Sequence, residues 1–117
     1  MDFSDLVHAV LTYDALTARQ WVTDSLRMEM NWSLVPLPRA LDALEASVAA
    51  GLAEMLASRV GQAAPGWAHS IQATTKPVWL VKAASTMPRL RQLCEEEGPE
   101  PLRRRGILAP PDFLRVA

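Results

Sequence analysis

Residues 41–60 read LDALEASVAAGLAEMLASRV, and this stretch decides the fold. Its large apolar residues recur every three or four positions, which places them on one side of an α-helix. They are Leu41, Leu44, Val48, Leu52, Met55, Leu56 and Val60. A second row of small residues lets neighbouring helices approach closely, so we expect this helix to be central. That row contains Ala43, Ala46, Ala49, Ala50, Gly51, Ala53 and Ala57. Gly61 follows directly and predicts a C-terminal glycine cap.

Two shorter helical patterns precede the central helix. Apolar residues spaced by three and four predict a helix over about 3–12, with Asp2 or Ser4 as its N-cap. After a short break, a second pattern predicts a helix over about 15–30, with Trp21 at the margin of its buried side. The short connection between them is typical of a helical hairpin.

Three segments are less regular. Residues 31–38 contain two prolines and predict a connector between helices. Residues 62–77 have no strong period, which predicts a loop that is either functional or partly mobile. Residues 77–84 fit a buried strand or the first turns of a helix. We favour the helix, because a lone strand has no obvious partner in this sequence.

Residues 87–97 predict a helix with an unusual order of charges, with the hydroxyl residues at 85–86 as candidate N-caps. Arg89 and Arg91 lie beside the positive end of this helix, and the three glutamates at 95–97 lie beside its negative end. The helix dipole favours the opposite order, and each misplaced charge costs up to about 1 kcal/mol. Another group therefore stabilises these charges, either the nearby arginines or a partner molecule.

Arg103, Arg104 and Arg105 are adjacent, and their guanidinium groups repel one another unless carboxylates or phosphates accept their hydrogen bonds. On a short helix or turn the three side chains cannot all point the same way. In one interpretation, one or two of them pair with Glu95–Glu97 and the rest are solvated. In the other, they contact an acidic protein or a phosphate.

Aromatic and apolar residues near the C-terminus are further candidates for partner contacts. Trp67 lies in the 62–77 loop, where a tryptophan either anchors the loop to the core or contacts a partner. Phe113 and Leu114 follow two prolines and give the tail enough apolar surface to dock on something.

Composition and charge indicate one helical domain over residues 1–117. Half of the residues are apolar but only 6% are aromatic, which suits close-packed helices better than sheets. We therefore predict an all-α fold, a compact bundle of about four to five helices with a proline-rich C-terminal tail. Residues 1–61 supply the hairpin and central helix, 62–77 a loop, and 78–117 a C-terminal segment. That segment is basic, whereas the part of the chain before it is acidic.

The residue types exclude several classes of site. Cys94 is the single cysteine, so the chain has no intrachain disulfide and no thiolate zinc site. His8 and His69 lack spaced ligand partners, and we expect no metal, no cofactor and no enzyme activity. The N-terminal residues do not resemble a signal peptide, and no apolar run is long enough for a membrane helix. We expect a cytoplasmic protein without membrane contact.

Residues 97–114 read EGPEPLRRRGILAPPDFL. This stretch resembles the tail of small uncharacterised bacterial proteins that end in a proline, an apolar residue, an arginine run, a short apolar segment and a leucine-containing turn. Such proteins are often encoded beside a nucleotidyltransferase-like protein, in the arrangement of toxin–antitoxin or similar two-component operons. The resemblance implies a protein-binding or antitoxin-like role, with a nucleotidyltransferase-like toxin as partner.

These observations favour a protein–protein interaction module. The arginine triplet supplies charge recognition, Phe113 and Leu114 an apolar anchor, and Trp67 a second contact. The alternative is a nucleic-acid-binding transcriptional regulator, which the net charge of −1 disfavours. A homodimer through the alanine-rich central helix is a further hypothesis.

Overall fold

The computed structural model describes residues 2–116. Its five α-helices are α1 Phe3–Leu11, α2 Ala15–Arg27, α3 Ala43–Arg59, α4 Pro88–Glu97 and α5 Glu100–Arg103. Its two short strands are β1 Val78–Trp79 and β2 Ile107–Leu108. α-Helices and 3₁₀ turns together hold 55% of the described residues and strands 3%, which confirms a mostly helical fold. The predicted all-α class omits the pair of short strands.

Aspartate side chains cap the N-termini of the first two helices. The Asp2 carboxylate accepts a hydrogen bond from the Ser4 backbone N–H at 3.0 Å, and Asp14 accepts one from the Thr17 N–H at 3.1 Å. Hydrogen bonding from the Ser4 backbone lowers the pKa of Asp2, and hydrogen bonding from the Thr17 side chain and backbone lowers the pKa of Asp14. These caps satisfy backbone donors that the first helical turn leaves free.

Both ends of α3 follow from local sequence. A capping box starts the helix, because Asp42 and Glu45 each accept a hydrogen bond from the backbone N–H of the other, at 2.8 and 3.2 Å. At its C-terminal end, Gly61 has φ 70°, and the Gln62 N–H bonds back to the Ala57 carbonyl at 2.9 Å. The predicted glycine cap is therefore confirmed.

The rest of the chain covers α3 over most of its length. Residues 47–57 are all buried except Glu54, and α1, α5 and a 3₁₀ turn at 68–70 pack against the helix. At Gly51 the contact is so close that a Cβ would lie 2.6 Å from Leu102 Cδ2. The small residues therefore serve packing within one chain. A homodimer through this helix stays a hypothesis limited to its N-terminal turn, because the chain itself buries the small residues from Ala49 to Ala57 and leaves only Ala43 of the row exposed.

Three aromatic rings join α1, α2 and the connector that follows them. The Phe3 ring centroid lies 5.6 Å from those of Trp21 and Trp32, which are 6.1 Å apart. The Trp21 indole N–H donates to the Asp2 carbonyl at 3.0 Å. The predicted marginal position of Trp21 is wrong, because this bond satisfies its polar atom and lets the ring enter the core.

Residues 77–84 do not continue as a helix. β1 pairs in parallel with β2, with Val78 opposite Ile107 and Trp79 opposite Leu108. A 3₁₀ turn at Lys82–Ser85 follows. The preference for a helix is wrong, because the strand does have a partner, which lies at the far end of the C-terminal segment.

The segments on either side of β1 differ in how well they match the sequence pattern. Residues 62–77 form the predicted connector, which contains the 3₁₀ turn at 68–70. The predicted cap of α4 is wrong, because the N-cap residue is Met87 and has no side-chain hydrogen bond. The hydroxyls of Ser85 and Thr86 donate instead to carbonyls of the preceding 3₁₀ turn.

Candidate functional site

The arginine triplet lies at the end of α5, and its three side chains go to different places. Arg104 is exposed and forms an ion pair with Glu54, while Arg103 is half-buried and donates to the Glu96 backbone carbonyl. Arg105 is only 5% exposed and forms a second ion pair with Glu54. The expectation that the three cannot point the same way is confirmed.

Arg105 connects three parts of the chain. Its guanidinium donates to the Glu54 carboxylate on α3 and to the carbonyls of Ala68 and Ile71, each at 2.6 Å. A buried ion pair is tolerated only where additional hydrogen bonds satisfy its remaining donors, and the two carbonyls supply them. Arg105 therefore holds the C-terminal segment against the core, and its guanidinium is not available to a partner.

The glutamates at 95–97 are exposed, and their carboxylates form no ion pair with the triplet, although Arg103 donates to the Glu96 backbone carbonyl. Both ion pairs within residues 2–116 end on Glu54, so the predicted pairing of the arginines with 95–97 is wrong. Sequence reasoning missed Glu54. The sequence does contain a signal for it: Glu54 is the one charged residue between Glu45 and Arg59, in a stretch that otherwise consists of apolar and small residues.

The C-terminal segment folds back on the core. The Phe113 N–H bonds to the Pro110 carbonyl at 3.0 Å, and the Arg59 guanidinium donates to the carbonyls of Phe113 at 2.5 Å and Pro111 at 3.3 Å. Burial lowers the pKa of Arg59 below its usual value. Leu114 is 6% exposed and belongs to the core, whereas Phe113 is half-buried and lies at its edge.

A groove of about 280 Å³ opens beside this segment, where α1, α2, the chain after β1 and the C-terminal turn meet. Apolar residues form much of its lining, including Val10, Ala18, Leu80, Pro110, Phe113 and Leu114. Four charged residues also line it, namely Asp14, Arg19, Lys82 and Asp112. The fold thus brings Phe113 and Leu114 together at one groove, whose lining includes neither the arginine triplet nor Trp67.

Tyr13 lines the same groove and is 50% exposed. It occupies the position just after the end of α1, where the Asp14 N–H bonds to the Ala9 carbonyl at 2.8 Å. Glycine is preferred at this position of such a turn, because the backbone is left-handed. Tyr13 has φ 61°, a conformation that costs a non-glycine residue about 1–2 kcal/mol. Sequence reasoning treated Tyr13 only as a helix break and missed its place at the groove.

Trp67 is half-buried and connects two loops. Its indole N–H donates to the Val35 carbonyl at 2.8 Å, and its ring centroid lies 6.4 Å from that of Phe3. This arrangement fits the loop-anchoring interpretation. A partner contact at Trp67 stays a prediction.

The remaining chemically reactive side chains are dispersed. Cys94 is buried, and burial raises the pKa of its thiol, which keeps it protonated at neutral pH. Across residues 2–116, no group of three or more His, Cys, Asp or Glu side chains is placed to hold a metal ion.

Comparisons with protein-family models, with curated proteins and with solved structures found no match. None of the helices in residues 2–116 has both the length and the hydropathy needed to span a membrane. Function is therefore inferred from the geometry of this chain.

Proposed function

We propose that the protein binds another protein and that the groove beside Tyr13 is the contact site. The supporting observation is the combination at one place of an apolar lining, charges of both signs and an exposed tyrosine in a strained backbone conformation. Protein interfaces combine an apolar centre with a polar rim, and tyrosine is enriched among their strongest contacts. Strained backbone conformations cluster at functional sites, which makes the exposed Tyr13 a candidate contact residue.

The size and charge of the groove define the partner surface that fits it. Its volume is at the lower end of the range for ligand sites, so it accommodates one or two apolar side chains. Arg19 and Lys82 supply positive charge, while Asp14 and Asp112 supply negative charge. A partner that inserts an apolar side chain with charges of both signs around it therefore fits.

The predicted contact residues have different roles in this proposal. Phe113 contacts the partner directly, and Leu114 shapes the groove from within the core. Of the triplet, Arg103 and Arg104 remain candidates for an outer contact, whereas Arg105 is used internally.

We further propose that the partnership is antitoxin-like, with a nucleotidyltransferase-like toxin in the bacterial cytoplasm. The support is the resemblance carried by residues 97–114, which form α5, β2 and the turn that lines the groove. Binding is favoured over catalysis because the groove lining contains no nucleophile hydrogen-bonded to a base.

Affinity capture from a lysate of the native host tests the proposal. The bait is the native chain, the Tyr13→Ala variant or the Glu29→Ala variant. Glu29 is a matched control, because it is exposed, has φ 50° and follows the end of a helix, as Tyr13 does. It lies after α2 and does not line the groove. We expect the native chain and Glu29→Ala to retain one partner, and Tyr13→Ala to lose it by at least about tenfold. Equal capture by all three contradicts the proposal.

A gel shift with duplex DNA at two salt concentrations tests the alternative regulator. Phosphate contacts give an affinity that falls steeply as salt is raised. We expect no shift, because Glu54 already neutralises Arg104 and Arg105. A salt-sensitive shift favours the regulator instead.

A further inference from the structure

α4 carries a row of three side chains, with a positive charge on one side of Leu93 and a negative charge on the other. Arg89 lies four residues before Leu93, and Glu97 lies four residues after it. Residues four apart form a ridge along a helix surface, so the three side chains form one row that is positive, apolar and negative. Arg89 and Glu97 are exposed, and Leu93 is half-buried.

The two charges at the ends of this row are unfavourably placed in an isolated chain. Arg89 lies in the first turn of α4 and Glu97 in its last turn, where the helix dipole disfavours both. Within residues 2–116 neither side chain forms an ion pair. A helix of the opposite direction placed alongside would bring a carboxylate to Arg89 and a guanidinium to Glu97.

We propose that α4 is the contact between two copies of this chain, packed antiparallel about a two-fold axis at Leu93. Arg89 of each copy then faces Glu97 of the other, and the two Leu93 side chains meet at the centre. A second copy is the occupant that fits, because the row is complementary to its own reverse. α4 lies outside the lining of the groove beside Tyr13, so this proposal does not depend on the proposed function.

The expected dimer is weak. The ten residues of α4 span about 15 Å, so two such helices bury less than the roughly 1,600 Å² of a standard interface. Its charge pairs are exposed at the edge of the contact, where salt screens them. Dimerisation therefore depends on protein concentration and weakens as ionic strength rises.

Sedimentation equilibrium over the micromolar to millimolar range tests the pairing. Arg89→Glu and Glu97→Arg each place like charges face to face, and we expect each to weaken self-association at least about tenfold. An equimolar mixture of the two variants restores opposite charges across the axis, and we expect it to associate. Both substitutions also place their charges where the helix dipole favours them, so thermal unfolding should show variants at least as stable as the native chain.

Glu95→Arg is the matched control, because it makes the same change in charge near the same end of α4. Position 95 is two residues from Leu93 and so lies on the other side of the helix. We expect Glu95→Arg to self-associate like the native chain. The proposal is overturned by a native chain that stays monomeric at low salt, by equal loss in Glu95→Arg and Glu97→Arg, or by a mixture that does not associate.

Discussion

Arg103, Arg104 and Arg105 are adjacent residues of the same type, but the fold exposes their side chains to very different degrees. What distinguishes Arg105 is the position of Glu54, 51 residues away along the chain. Local spacing contains no information about such a distant neighbour. Sequence reasoning could therefore identify the triplet as chemically unusual, but not which arginine the fold requires.

Replacing Arg105 by alanine should strongly destabilise the fold. The change removes the buried one of the two arginines that pair with Glu54 and leaves the Ala68 and Ile71 carbonyls without a donor, and each unsatisfied buried group costs about 1–3 kcal/mol. Arg104→Ala removes an exposed pair and should cost less than about 1 kcal/mol. Urea unfolding followed by circular dichroism measures both, and equal midpoints for the two variants contradict an internal role for Arg105.

Replacing Tyr13 by glycine should separate stability from binding. Glycine adopts φ 61° without steric cost, so we expect a gain of about 0.5–1 kcal/mol in the free energy of unfolding. The same variant removes the tyrosine ring from the groove and should lose the captured partner. Glu29→Gly relieves similar strain at the end of α2, and it should gain stability with capture unchanged. A Tyr13→Gly variant that still binds normally would contradict a contact between the tyrosine ring and the partner.

At the scale of elements, helices were more predictable than strands. The pattern of α3 predicts a helix over 41–60, against the observed Ala43–Arg59, because the apolar period and the terminal glycine are both local signals. α2 ends at Arg27 rather than near residue 30, since Glu29 takes the left-handed conformation that glycine usually supplies after a helix, and the sequence has no glycine there to mark the end. For residues 77–84 the strand alternative was not preferred, because its partner is β2 and pairing between distant segments leaves no local period.

The contact between the end of α4 and Ala109, the residue after β2, depends on a residue without a side chain. A Cβ at Gly98 would lie 2.5 Å from the Cys94 carbonyl oxygen and 2.6 Å from the Ala109 carbonyl oxygen. Both atoms belong to the backbone and cannot move aside by a rotamer change. We expect Gly98→Ala to lower the free energy of unfolding by about 1–3 kcal/mol.

Gly66→Ala provides the control for this junction, because no atom lies within 4 Å of its added Cβ. We expect this control to unfold at the same urea concentration as the native chain or slightly higher. A Gly98→Ala variant as stable as Gly66→Ala would contradict a close contact of Gly98 with the Cys94 and Ala109 carbonyls.

At the scale of the whole molecule, the groove is built by segments that lie far apart in the sequence. Phe113 and Leu114 were singled out from composition alone, and the structure places both at the groove. Hydrogen bonds from Arg59 and Arg105 hold the C-terminal segment against the core, and Tyr13 and Lys82 line the same groove from the other segments. The apolar character of Phe113 and Leu114 could therefore be predicted from the sequence, whereas the assembly of the groove depends on tertiary contacts.

The central claim is that a protein partner occupies the groove beside Tyr13. Photo-cross-linking in cells of the native host tests it directly, with a benzoylphenylalanine placed at position 13 in one variant and at position 29 in another. We predict one cross-linked species of defined mass from position 13 and none from position 29. No cross-link from position 13, or the same species from both positions, contradicts the claim.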